Sequence, residues 1–219
     1  MKVLSIIALS LFCLFSAVSY ADADSGAAIA NVGDGSGAPC AACHGMQGEG
    51  NQMAGFPRLA GLSQGYLVKQ LNDYIEGRRI SQIMAPNVND LTSEQVEEVA
   101  TYYANLPVTK SEALTVDPSG IGKILVESGD WHNYLPPCAS CHGVDSAGVG
   151  AVFPALAGQH ATYIMQQLQD WKTGTRNNDP LGLMSNIAKR LSDEQIQAVA
   201  HYLTSLEPKA TKAKSSIND

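Results

Sequence analysis

Apolar residues fall at helical spacing in two parts of the chain that match each other. Val96, Val99, Ala100 and Tyr103 share one face of a 3.6-residue repeat, and Ile196, Val199, Ala200 and Leu203 do the same at an offset of 100. Each run follows a capping-box pattern, Thr92 with Gln95 or Ser192 with Gln195, and each ends near a proline, Pro107 or Pro208. A second helix in each half is predicted over roughly 63–76 and 160–172. Its apolar face is Tyr66, Leu71 and Tyr74, or Tyr163, Leu168 and Trp171. A weaker first helix is expected at 27–32 and at 121–127, the former stopped early by Gly33, Gly35 and Gly37. No segment sustains period-two alternation, so strands are expected to be scarce and the fold all-α.

The first residues follow a different pattern. Lys2 is the only charge in 1–21, and Val3 to Val18 is an apolar and small run of 16 residues. A membrane-spanning helix needs about 20. Ser19-Tyr20-Ala21 fits the small-x-small cleavage rule, with Ala21-Asp22-Ala23 as a second option. The expectation is a cleaved signal peptide over 1–21, the alternative an uncleaved anchor. Export discards Cys13 and leaves four cysteines in an oxidising compartment.

The remainder is a tandem duplication. Cys40-Ala41-Ala42-Cys43-His44 matches Cys138-Ala139-Ser140-Cys141-His142 at an offset of 98. Phe56-Pro57-Arg58-Leu59-Ala60-Gly61 matches Phe153-Pro154-Ala155-Leu156-Ala157-Gly158 at an offset of 97. These matches predict a first domain over 25–107, a linker over 108–118, a second domain over 119–207 and a solvated tail over 208–219.

Composition narrows the choice of function. Apolar residues make up 45% of the 219 and charged residues 16%, as in an ordinary globular protein. A net charge of -7 argues against nucleic-acid binding and predicts partners with basic docking faces. Aromatics are only 6%, lean for two small cores, so something other than aromatic side chains is expected to fill them.

Cys-x-x-Cys-His reads as a c-type haem attachment site, and it occurs twice. Cys40 and Cys43, like Cys138 and Cys141, have the spacing to bond the two vinyl groups of one porphyrin. His44 or His142 then offers a ring nitrogen to the iron. A four-cysteine zinc site would bring its pairs about 15–20 residues apart, and a thioredoxin-like dithiol would need a βαβ context. Two disulfides across the pairs would leave the repeated histidine unexplained.

The repeat also filters the second axial ligand. Met46, Met53 and Met165 align with Val144, Gly150 and Val68, and are read as gap-fillers in the core. Met84 and Met184 match each other at an offset of 100, on the loop entering the last helix. Met/His coordination would fill both axial positions and favour electron transfer over catalysis. Arg79 and Arg176 repeat at an offset of 97. Each either holds a haem propionate through its planar fork or is a solvated helix end. Tyr66 and Tyr163 are expected in the core, and secondarily at the haem edge.

With these motifs the sequence resembles the dihaem cytochrome c4 family over about 25–207. The match rests on the paired CxxCH, the Phe-Pro-x-Leu-Ala-Gly blocks, and Met184-Ser185-Asn186-Ile187-Ala188 before Leu191-Ser192. The resemblance implies two fused class I cytochrome c domains around a pseudo-twofold axis, binding two haem c. It implies a periplasmic carrier, soluble or loosely attached to the membrane, between a quinol–cytochrome c oxidoreductase and a terminal oxidase or reductase. It also implies that the Pro57 and Pro154 carbonyls receive the other N–H of the haem histidines, the alternative being that each proline only shapes its loop. Ile83-Met84 and Leu183-Met184 stand where many relatives carry Met-Met. Two rivals are a cytochrome subunit of a flavocytochrome dehydrogenase and a dihaem peroxidase, which would need an open iron.

Overall fold

A computed structural model describes residues 23–108, 110 and 120–209. The signal-peptide assignment, almost all of the linker and most of the tail lie outside the described residues. The first half contains α1 (Ala23–Val32), α2 (Ala41–His44), α3 (Gln64–Ile75), α4 (Ala85–Val88) and α5 (Ser93–Asn105). The second contains α6 (Ile121–Glu127), α7 (Cys138–His142), α8 (Ala161–Thr173), α9 (Leu183–Arg190) and α10 (Asp193–Ser205). Short 3-10 turns follow at Trp131–Asn133 and Val144–Ser146. Among the described residues extended pairing is limited to three isolated bridges, and no helix is long and apolar enough to cross a membrane.

The capping boxes form as the sequence predicts. Thr92 Oγ1 accepts from the Gln95 N–H (3.2 Å) while Gln95 Oε1 accepts from the Thr92 N–H (2.8 Å). Ser192 and Gln195 repeat the pair at 3.1 and 2.8 Å. Behind these caps Val96, Val99, Ala100 and Tyr103 are buried in one core, and Ile196, Val199, Ala200 and Leu203 in the other. The helix pattern was legible because capping and periodicity are local.

In each half the first helix crosses the last at a glycine. A Cβ at Gly26 would lie 2.3 Å from the Glu98 carbonyl oxygen, and one at Gly122 would lie 2.1 Å from that of Ala198. The obstacle is backbone, which cannot swing aside as a side chain can. Gly122→Ala is therefore expected to destabilise the protein by about 3 kcal/mol, the upper end for overpacking. Thermal denaturation measures it, and a loss under about 0.5 kcal/mol, the range of a neutral surface change, would contradict the crossing.

The halves meet across an approximate twofold. Arg79 donates to Gln70 Oε1 of its own half (2.8 Å) and to Gln167 Oε1 of the other (2.6 Å). Arg176 mirrors this, donating to Gln167 Oε1 (2.8 Å) and to Gln70 Oε1 (2.9 Å). Gln70 and Asp73 are buried on α3 because they face the second half, where Asn178 donates to both.

Candidate functional site

Each CxxCH occupies a single helical turn. In the first half the His44 N–H donates to the Cys40 carbonyl (2.9 Å), which puts Cys40 and Cys43 on one side with His44 beside them. The carbonyls of His44 and His142 accept from the Gly50 and Gly148 N–H, both at 2.7 Å, so the chain turns back under each imidazole.

Both histidines are buried, and each Nδ1 lies 2.9 Å from a proline carbonyl, Pro57 for His44 and Pro154 for His142. A carbonyl only accepts, so Nδ1 carries the hydrogen and Nε2 keeps a free lone pair. Burial holds both imidazoles below their ordinary pKa, the carbonyl contact opposing it only in part. Each ring is thus neutral at neutral pH, as a metal ligand must be. Phe56 and Phe153 pack on these rings at centroid distances of 6.2 and 6.0 Å.

The two sites open into one continuous cavity of about 1130 Å³ that runs through both halves. Its lining includes the four cysteines, both histidines, Met84 and Met184. Met84 precedes α4, its N–H held by Ser81 Oγ (3.0 Å). Met184 lies within α9, its N–H held by Asp179 Oδ2 (2.6 Å). The sequence reading placed both on a loop. Met84 does lie on a turn, at the N-terminus of α4, whereas Met184 is carried on the first turn of α9. Met165 packs on the second core as expected. Met46 and Met53 do not fill the core: they are exposed, because they ride on the turn-rich chain that follows α2.

Cys40, Cys43, Cys138 and Cys141 form no disulfide with one another. Burial raises the Cys40 thiol above its usual pKa and pushes Cys138 up to about 11. A redox dithiol needs a lowered pKa at its attacking cysteine, and Cys40 and Cys138 are shifted the other way. Nor do three or more His, Cys, Asp or Glu converge on a metal site among the described residues.

Arg79 and Arg176 are buried at the junction and are not solvated helix ends. Arg79 stacks on Tyr74 (4.7 Å) and Arg176 on Trp171 (4.5 Å). Neither guanidinium bonds a carboxylate among the described residues; their acceptors there are Gln70, Gln167, Asn178 and the Tyr163 hydroxyl. Burial pushes the Tyr163 phenol up, but the two arginine charges outweigh it and hold that phenol below its ordinary value. The two guanidiniums therefore make this part of the crevice positive, suited to anionic groups. A haem fits this donor set: thiols for its vinyls, neutral imidazoles for its iron, apolar walls for its ring and two buried guanidiniums for its carboxylates.

Sequence reasoning missed the roles of Gln70 and Gln167, although both repeat on an otherwise apolar helix face. It also missed Arg58, whose counterpart is Ala155, so repetition could not flag it.

Comparison with known proteins agrees with this reading. A Cytochrome c family model matches residues 37–107 and 134–207. A thiosulfate dehydrogenase electron acceptor of Thiomonas intermedia is 44% identical over 82% of this chain and 83% of its own. Cytochrome c4 of Thiocapsa roseopersicina is 41% identical over 76% of this chain and 86% of its own. Among solved structures, thiosulfate dehydrogenase (TsdBA) from Marichromatium purpuratum matches with a TM-score of 0.80 and 37% identity, over 85% of this chain and 40% of that longer one. The chain belongs to the cytochrome c4 family: two cytochrome c domains in tandem that carry two haem c and transfer electrons.

Proposed function

We propose that this protein is a periplasmic carrier that accepts single electrons from a dehydrogenase or a quinol-oxidising complex and passes them to a terminal oxidase or reductase. Cys40 and Cys43 attach one haem, and Cys138 and Cys141 the other, within domains spanning 25–107 and 119–207. His44 with Met84, and likewise His142 with Met184, would hold the two irons. Bound haem c supplies a one-electron ferric/ferrous couple at each site. Pro57 and Pro154 fix the imidazole tautomer and orientation, and Arg79 and Arg176 neutralise the haem carboxylates while shutting water out of the junction.

One observation carries the reading: in both halves a buried histidine and a methionine line the same cavity. A pair of protein ligands leaves no position for peroxide, so a dihaem peroxidase is disfavoured. Thiosulfate dehydrogenase is the favoured electron donor, because a relative at 44% identity bears the name of that enzyme's acceptor and the TsdBA structure contains a segment of this fold.

Rapid mixing of the oxidised protein with thiosulfate dehydrogenase and thiosulfate tests the proposal. The expected result is reduction by two electrons per chain, at a rate that falls as salt rises because this chain is acidic. No reduction by that donor or by a quinol-oxidising complex, or sustained peroxide turnover, would overturn it.

A further inference from the structure

Arg58 is buried to 1% exposure, which arginine almost never is unless paired. Here no carboxylate among the described residues meets it. Its Nη1 donates to the Ala60 carbonyl of its own half and its Nη2 to the Ala157 carbonyl of the other (3.0 Å), while Nε has no partner among the described residues. Ala60 and Ala157 are equivalent positions of the repeat, so the guanidinium sits between the halves where the twofold relates one carbonyl to the other.

The Gln159 side chain brackets the same residue. Its Oε1 accepts from the Arg58 N–H and its Nε2 donates to the Arg58 carbonyl, both at 2.9 Å. The repeated block reads Phe56-Pro57-Arg58-Leu59-Ala60-Gly61-Leu62 in one half and Phe153-Pro154-Ala155-Leu156-Ala157-Gly158-Gln159 in the other. It differs at two positions, and these two face each other across the junction. On one side of the axis Arg58 meets Gln159. On the other their counterparts Ala155 and Leu62 share an apolar cluster. Arginine at both positions would place two like charges together. Alanine at both would strand the Ala60 and Ala157 carbonyls, at about 1–3 kcal/mol for each buried group left unmet, while the Gln159 amide would keep its two bonds to the backbone of residue 58.

We propose that Arg58 and Gln159 form an orientation key: one buried guanidinium, clasping equivalent carbonyls and bracketed by one amide, sets how the two haem sites face each other. Arg58 is a positioning residue; it does not line the haem cavity and acts through the backbone beside Pro57, whose carbonyl holds His44. The proposal deepens the carrier reading and rests on it.

The test uses the full-length holoprotein in two variants, Arg58→Met and Gln159→Leu, with Arg58→Lys as the conservative rescue. Internal transfer between the haems is read after pulsed reduction of one of them. Both variants are expected to slow it at least tenfold with haem content and visible spectra unchanged. Arg58→Lys recovers part of the rate, since an ammonium keeps the charge without the two-carbonyl fork. Hydrogen exchange gives a readout free of haem chemistry: in Gln159→Leu the Arg58 amide is expected to exchange at least tenfold faster, while the Leu59 amide, bonded to the Gly48 carbonyl, is unchanged. If Arg58→Met does not fold, Gln159→Leu decides, because it leaves the guanidinium in place. Normal spectra with internal rates within twofold of the parent would overturn the key. A parent protein lacking two haems would instead overturn the carrier reading.

Discussion

Alanine at Cys40, Cys43, Cys138 and Cys141 together is expected to abolish the near-ultraviolet circular dichroism of the native protein. The cavity that these cysteines face measures about 1130 Å³. Cavity formation costs ~24 cal/mol per Å³, so a chain holding even a third of that space open would lose about 9 kcal/mol. A whole domain is stable by only about 5–15 kcal/mol. Each half has few other resources: Tyr66 and Tyr74 on α3, and Tyr163 and Trp171 on α8, line the cavity, so much of each small core is completed only when the cavity is filled. On this reading the haem would be structural filling as well as redox centre, and the proposed thioether bonds would keep it from being lost by dilution. Retention of the native near-ultraviolet signal in the variant would contradict this.

Met84→Ala and Met184→Ala are each expected to convert an inert iron into one that takes up a single carbon monoxide per chain. With the methionines as the proposed ligands, removing the thioether would free one position on the iron while the histidine, tied to its proline, stays in place. The midpoint potential of the altered site is expected to fall by about 0.2 V, against a span of about 0.8 V that axial ligands command. Carbon monoxide difference spectra and a redox titration measure the two effects. A variant that remains inert and keeps its potential would remove that methionine from the ligand set.

Both predictions stand on features the sequence displays openly. The helix pairs, their caps and the two CxxCH turns could be read directly, since each is set by residues within one turn of one another. The repeat then singled out Met84 and Met184, although the short helices beside them went unread: α4 is four residues long and shows no period, while α9 does carry Leu183, Met184, Ile187 and Ala188 at helical spacing. What escaped was the junction. Gln70, Asp73 and Asn178 are polar residues whose burial depends on the opposite half, a contact that no local pattern encodes. Arg79 and Arg176 could equally have been surface residues until the two halves were brought together. Arg58 was the hardest to see, for its importance lies in breaking the repeat by which the other residues were found.

The central claim is that the chain bears two covalently attached haems, each closed on both faces by its own side chains. Intact mass and a carbon monoxide titration of the protein purified from its native host test that claim most directly. The account predicts a mass increment of two haems, low-spin spectra in both oxidation states and no carbon monoxide uptake. A single haem, none, or ready binding of carbon monoxide by the unaltered protein would contradict it.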